Sequence, residues 1–207
     1  MADKAYILGL TGGIACGKST IAKHLESLGA LQADADEFSR ALTAPGGEAL
    51  PEIRRIFGEG VFFPDGTLDR KALGSVIFHD NAQRRALEGI IHPLVQHGMM
   101  EKADEAAEKG IPVCVFNVPL LYETAMDALC DSVWVVSLPR EKQIMRIMNR
   151  DRLSRAEASA RIDSQMPLAE KEERASYVFY TDKPEEETLR EAEKRYNELL
   201  KAIKKAQ

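Results

Sequence analysis

A chain of 207 residues is long enough for one α/β domain with an added subdomain and for a substantial hydrophobic core. With 44% hydrophobic and 29% charged residues it has the composition of an ordinary globular protein, and a net charge of -5 argues against general nucleic-acid binding. No apolar run approaches the ~20 residues of a membrane span, and Met1-Ala2-Asp3-Lys4 lacks a secretory signal, so the expectation is a cytoplasmic protein with no membrane, nucleic-acid or obligate protein partner.

The first element is a short apolar strand, Tyr6-Ile7-Leu8-Gly9-Leu10, and a helical pattern covers residues 21–28. Between them lies Gly12-Gly13-Ile14-Ala15-Cys16-Gly17-Lys18-Ser19-Thr20, a complete G-x-x-x-x-G-K-[ST] phosphate-binding loop. Strand, glycine-rich loop and helix are the order the chemistry needs. Backbone N–H groups cradle phosphate oxygens, and the helix N-terminus adds partial positive charge. Lys18 reaches the outer phosphates, and Ser19 offers a hydroxyl to Mg²⁺. A chance glycine-rich turn would have neither flanking element. Cys16 inside the loop makes no demand on this chemistry. It reads first as a small filler; the alternative is a thiol whose pKa is lowered beside the helix N-terminus, which would make it a target for oxidants. Together Cys16, Cys114 and Cys130 are odd in number and lack metal-ligand spacing, as expected of reduced thiols.

After Gly29 a second strand, Ala30-Leu31-Gln32-Ala33, runs into Asp34-Ala35-Asp36. Loops at the carboxyl ends of strands line the crevice of a doubly wound sheet. Two carboxylates two residues apart in an extended chain face the same way. One can act as base towards an attacking hydroxyl while the other orients it or holds metal-bound water. Asp36 also stands where the next helix needs an N-cap. Residues 37–110 are too long for a crossover and read as several helices. One of them carries Ala86, Leu87, Ile90, Ile91, Leu94 and Val95 at helical spacing, with a kink or restart expected at His92-Pro93. His92 is either a packed residue at that break or a ligand for an acceptor phosphate.

The third and fourth strands, near residues 112–118 and 132–138, are apolar without alternation, as in strands buried on both faces. Past the third lies Pro119-Leu120-Leu121-Tyr122-Glu123, whose apolar members can floor an acceptor pocket and whose Glu123 can bond to an acceptor. Past the fourth come Arg140, Arg146, Arg150, Arg152, Arg155 and Arg161. Arg146 and Arg150 are four apart on one helical face, suited to the spread charge of a transferring phosphoryl group. The alternative is a solvated helix with ion pairs. Residues 151–166 read as a mobile lid that excludes water. A weak fifth strand, Tyr177-Val178-Phe179-Tyr180, and a last helix from Glu185 with the stripe Leu189, Ala192, Tyr196, Leu199, Leu200 and Ile203 complete the chain.

The ordered set of segments resembles the bacterial dephospho-coenzyme A kinases over nearly the whole length. It comprises residues 11–20, Asp34-Ala35-Asp36, Asp65-Gly66-Thr67-Leu68-Asp69-Arg70, Ile91-His92-Pro93-Leu94, Val118-Pro119-Leu120-Leu121-Tyr122-Glu123, and residues 146–151. The resemblance implies transfer of the γ-phosphoryl of ATP to the ribose 3′-hydroxyl of dephospho-coenzyme A, with ATP and Mg²⁺ and two small-molecule substrates. It implies an α/β fold: a P-loop NTPase-type core with a five-stranded parallel sheet and helices on both faces, about residues 1–36, 111–150 and 167–207. A helical acceptor-binding subdomain (about 37–110) and a lid (about 151–166) complete it. Within that resemblance Asp36 matches the base and Arg146 the transition-state arginine, with Lys18 beside them. Residues 12–20 and Arg150 fall on the ATP side. Asp34, His92, Leu120, Glu123 and Arg161 fall on the acceptor side, and Ser19 on the metal. One departure is Ala175-Ser176-Tyr177-Val178-Phe179-Tyr180-Thr181-Asp182, where the family usually carries an Asp and then an Asn near the adenine. Thr181 or backbone groups are expected to take over that contact. Other kinases of this fold act on nucleoside monophosphates, and a GTP switch would need an Asn/Thr-Lys-x-Asp segment that is absent.

Overall fold

The computed structural model describes residues 4–206. Its sheet has five strands: β1 (Tyr6–Gly12), β2 (Leu31–Asp34), β3 (Val113–Asn117), β4 (Ser132–Ser137) and β5 (Tyr177–Tyr180), in the spatial order β2-β3-β1-β4-β5. β1 pairs in parallel with β3, Leu10 opposite Asn117, and with β4, Gly12 opposite Val136. β5 joins β4 in parallel, Val136 opposite Phe179. The alternation of strand and helix in the sequence therefore closes into a parallel sheet with helices around it.

Both faces of this sheet are covered. Alternate residues of β1 point to opposite sides, and Ile7, Leu8, Leu10 and Thr11 are all buried. Leu8 and Leu10 pack with Val113, Val115, Trp134 and Val136 against Ile21 and Leu25 of α1 (Lys18–Ser27) and Ala192 and Tyr196 of α9 (Glu185–Ala206). Each fully buried aliphatic side chain contributes about 1.5–3 kcal/mol. On the other face a Cβ at Gly9 would lie 2.9 Å from the Cys130 sulfur and 3.0 Å from Leu121, so the segment after β3 closes directly over the backbone. The apolar stripe expected for the last helix is the one that packs.

The chain divides into two compact units, residues 34–101 and the remainder. The smaller unit holds α2 (Ala35–Leu42), α3 (Leu50–Phe57), α4 (Arg70–His79) and the first part of α5 (Asn81–Glu108). Its core is Ala49, Ile53, Val61, Leu73 and Ile90. Asp65-Gly66-Thr67-Leu68-Asp69-Arg70 is structural here. Asp65 accepts from the Thr67 backbone at 2.9 Å, Asp69 caps α4, and Arg70 donates to the Thr43 hydroxyl at 2.7 Å. The helix restart expected at Pro93 does not occur, since α5 runs unbroken through it. Proline removes one backbone bond, but Ile90, Ile91 and Leu94 bury the helix around that gap, and tertiary packing wins.

The second unit carries the sheet, α6 (Arg140–Asp151), α7 (Arg155–Asp163), α8 (Leu168–Arg174) and α9. α7 begins on a capping box in which Ser154 and Glu157 satisfy each other's backbone N–H groups, so this helix has a well-defined start.

Candidate active site

The glycine-rich loop leaves β1 at Gly12, and the fold requires glycine there. A Cβ would sit 2.3 Å from the Val136 carbonyl oxygen, against backbone that cannot yield. The loop re-enters regular structure at Gly17, whose φ of 92° lies in the left-handed region. From there its carbonyl accepts from Thr20 N at 3.1 Å and Ile21 N at 3.4 Å, starting α1. No side chain caps this helix and no acidic residue stands in its first turn, which leaves its N-terminal N–H groups suited to an anion. Ala15 also has a positive φ, 61°, a conformation that costs a residue with a Cβ about 1–2 kcal/mol.

Groups from three other strands and a helix hold this loop. Thr181, just past β5 and buried, donates its hydroxyl to the Cys16 carbonyl at 2.7 Å, with the Ser137 carbonyl at 3.2 Å. Arg146 on α6 donates Nη1 to the Ala15 carbonyl at 3.0 Å. Gln143, 2% exposed, donates to the Leu138 carbonyl at 2.7 Å and lies against Gly13. Lys18 donates its ammonium to Asn117 Oδ1 at the buried carboxyl end of β3. Thr11, next to the loop, donates to the Pro119 carbonyl at 3.0 Å. A lysine, an arginine and a helix N-terminus thus converge on one short loop, and the combined field favours a phosphate-rich anion.

At the loop one expectation is corrected and one alternative is excluded. Thr181 does not present its hydroxyl outward for an adenine contact, because both carbonyls it faces belong to the loop and to β4. Cys16 is not an activated thiol. It is 1% exposed within the main core, and burial pushes its pKa up to about 12 despite the helix N-terminus and Arg146 nearby.

The paired aspartates are also arranged differently. Asp34, in extended conformation, is the N-cap, and its Oδ1 accepts from Asp36 N at 2.9 Å and Glu37 N at 3.1 Å. Asp36 lies in the first turn of α2 and is exposed. The helix begins two residues earlier than the capping expectation required. The two carboxylates therefore do not share the direction that an extended chain would give. His92 is half-buried within α5.

Most of the arginines after β4 are in ion pairs. Arg140 pairs with Asp163 at 2.8 Å and Arg155 with Glu141 at 2.6 Å. Asp151 holds two of them, Arg150 at 2.7 Å and Arg161 at 2.8 Å, and the Arg150 hydrogen bonds are the main cause of its lowered pKa. Arg146 differs from the others in contacting the phosphate loop. Arg146 and Arg150, four apart on α6, face different groups: one the Ala15 carbonyl, the other Asp151. Between the end of β4 and the α7–α8 segment lies a cavity of about 540 Å³ whose lining includes Gly13, Gln143, Gln165, Met166, Glu172 and Tyr180. Leu120 is 40% exposed, whereas Glu123 is taken up by Lys171 at 2.8 Å and Met166 N at 3.0 Å.

Four residues of this site were not singled out by sequence. Asn117 left a trace, a polar residue ending the apolar run Val113-Cys114-Val115-Phe116. Gln143, Lys171 and Glu172 stand in charged stretches that read as solvated surface. Among the described residues no group of three or more His, Cys, Asp or Glu side chains could hold a metal ion. The donors available are hard oxygens such as the exposed Ser19 hydroxyl, which suits Mg²⁺, an ion that keeps several waters and takes its other ligands from substrate phosphates.

The family model described as dephospho-CoA kinase matches residues 6–186. The dephospho-CoA kinase of Geobacter sulfurreducens is 46% identical over 187 residues, covering 90% of this chain and 95% of that protein. That of Anaeromyxobacter dehalogenans is 50% identical over 172 residues, 83% and 82% of the two chains. The crystal structure of TT1252 from Thermus thermophilus superposes with a TM-score of 0.83 at 35% identity, covering 96% of this chain and 99% of that one.

Proposed function

The chain belongs to the dephospho-CoA kinase family, and from that membership we propose that it transfers the γ-phosphoryl group of ATP to the ribose 3′-hydroxyl of dephospho-CoA, giving CoA. The observation behind this is the phosphate loop itself: it lies inside the matched span, with Lys18 and Arg146 already gathered around it. Membership of a kinase family makes ATP the donor. Family membership likewise supplies the acceptor, which the geometry alone would leave open.

The proposed roles follow from position. The backbone of residues 12–17 and the first turn of α1 hold the β- and γ-phosphates. Lys18 exchanges Asn117 for a phosphate oxygen, and Arg146 exchanges the Ala15 carbonyl for the phosphoryl group in flight, where charge spreads over three oxygens. Ser19 would hold Mg²⁺, which when bound neutralises phosphate charge. Asp36, exposed and in the first turn of α2, takes the proton from the 3′-hydroxyl as that oxygen bonds to the γ-phosphorus and the bond to the β–γ bridging oxygen breaks. Arg150 completes the ATP side. Residues 37–110, with Asp34, His92, Leu120, Glu123 and Arg161, serve the acceptor, and residues 151–166 act as the lid. No helix among the described residues is long and apolar enough to cross a membrane, and we place the enzyme in the cytoplasm.

The decisive experiment supplies purified protein with ATP, Mg²⁺ and dephospho-CoA and locates the new phosphate by phosphorus NMR. A 3′-phosphorylated product is expected. ADP without that product, or faster turnover of a nucleoside monophosphate, would sink the proposal. In the same assay Asp36→Asn should lower kcat by about 10²–10⁴-fold, with little change in the KM for ATP.

A further inference from the structure

Lys171 on α8 is fully buried, 0% exposed, in a stretch whose sequence, Glu170-Lys171-Glu172-Glu173-Arg174, reads as solvated. Its ammonium lies 3.2 Å from the Pro119 carbonyl and 2.8 Å from Glu123 Oε1. Each partner has a second attachment. The Pro119 carbonyl also accepts from the hydroxyl of Thr11, the residue before Gly12, and Glu123 Oε1 also accepts from the backbone N–H of Met166 in the α7–α8 connection. One ammonium therefore joins the root of the phosphate loop, the turn after β3 and the far end of the lid segment.

Burying a lysine is costly, and a buried ion pair is commonly no more stable than apolar side chains of the same volume. Stability alone gives no reason to keep one here. The cation also differs from those of the rest of the segment: besides its apolar contact with α6, α7 is tied by Arg140 to Asp163 and by Arg161 to Asp151, pairs whose guanidinium groups are about half exposed. In the Lys171 attachment the cation is fully buried, although Glu123 is 22% exposed.

We infer that Lys171 is a positioning residue: it pins the C-terminal end of the lid segment to the turn after β3 and to the base of the phosphate loop, so that the lid closes around a fixed pivot. This rests on the proposed kinase activity, in which the lid keeps water from competing with the acceptor for the γ-phosphoryl group. The consequence concerns fidelity of transfer more than ATP binding. Without the pivot, ATP is spent on water.

The test compares Lys171→Met, Lys171→Arg and the double variant Lys171→Met/Glu123→Gln, which removes the stranded carboxylate charge in case the single variant folds poorly. Three readouts are taken: the KM for ATP, the ratio of ADP formed to dephospho-CoA phosphorylated, and amide hydrogen exchange at Met166. For Lys171→Met the expected result is an ATP KM within about twofold, an ADP-to-product ratio raised at least threefold, and Met166 exchange faster by about tenfold, the loss of one protected N–H. Lys171→Arg, which keeps charge and donors, should fall between Met and wild type. The double variant should melt near wild type and remain uncoupled. A folded Lys171→Met or double variant with unchanged ADP-to-product ratio overturns the inference, as does unchanged exchange at Met166. Wild-type protein inert towards dephospho-CoA would instead count against the proposed function, while the exchange measurement would still test the pivot.

Discussion

The phosphate loop and the lid segment are both short, both lie in the larger unit, and are held in opposite ways. The loop is braced by groups with little or no access to water: the Thr181 hydroxyl on the Cys16 carbonyl and Gln143 against Gly13. Helix α7 buries Ala158 against Ile144 and Ile147 of α6, and its polar ties are guanidinium–carboxylate pairs at the surface. Buried hydrogen bonds cannot trade partners with water without a desolvation penalty, so they fix geometry. Exposed pairs are screened and cost side-chain entropy to order, so each contributes little and exchanges readily. In the proposed transfer the first region is the donor site and the second its cover, an order that suits the chemistry because the donor must be oriented before water is shut out.

The comparison breaks most severely at Lys18. Its ammonium is the cation carried by the loop itself, so Lys18→Ala should lower kcat by about 10²–10³-fold, the effect of deleting one preorganised stabilising group. The melting temperature should hold, since the half-buried side chain contributes little packing. Steady-state kinetics with a thermal melt would check both, and a rate within fivefold of wild type would remove Lys18 from the transition state. A smaller effect is expected at the brace. Thr181→Val keeps the shape and removes the hydroxyl, leaving the Cys16 carbonyl without its donor. One hydrogen bond of about 0.5–1.5 kcal/mol corresponds to roughly a 2- to 10-fold rise in the KM for ATP. If the KM for ATP is unchanged, the loop does not depend on that brace.

The same contrast explains what was legible in the sequence. The positions of the strands along the chain and the phosphate loop follow from local rules, since apolar runs, a glycine spacing and helix periodicity are written in consecutive residues. The elements of the sheet accordingly lie within a residue or two of where the pattern puts them, β4 at Ser132–Ser137 and β5 at Tyr177–Tyr180 among them. What holds the site together is written across long separations. Thr181 and Cys16 are 165 residues apart and Lys18 and Asn117 are 99 apart. Lys171 in a run of charges looks like surface until the turn after β3 is folded over it. At the aspartates a local competition decided: Asp34 and Asp36 are both acceptable caps, and the helix took the earlier one, which gains bonds to two N–H groups.

The smallest expected effect concerns Cys16, where the helix N-terminus and burial push the thiol in opposite directions. A helix N-terminus and a nearby arginine favour thiolate, but desolvation outweighs both and the pKa rises from 9.0 to about 12. The folded protein should therefore keep Cys16 as an unreactive thiol at neutral pH. Iodoacetamide at pH 7.5 should leave Cys16 unlabelled in the native protein and label it fully in denaturant, read by mass spectrometry. Peroxide should inactivate wild type and Cys16→Ser at the same rate. The sign of the linkage adds a pH signature. A group whose pKa is raised on folding lends stability that is complete below its unfolded pKa and is lost as pH rises through the folded value. Cys114 and Cys130 are raised to about 12 in the same way, so stability should begin to fall above about pH 9, where unfolded thiols ionise. Rapid labelling of native Cys16 at neutral pH would show that the loop opens to water, and with it the rigidity assigned to the donor side would be lost.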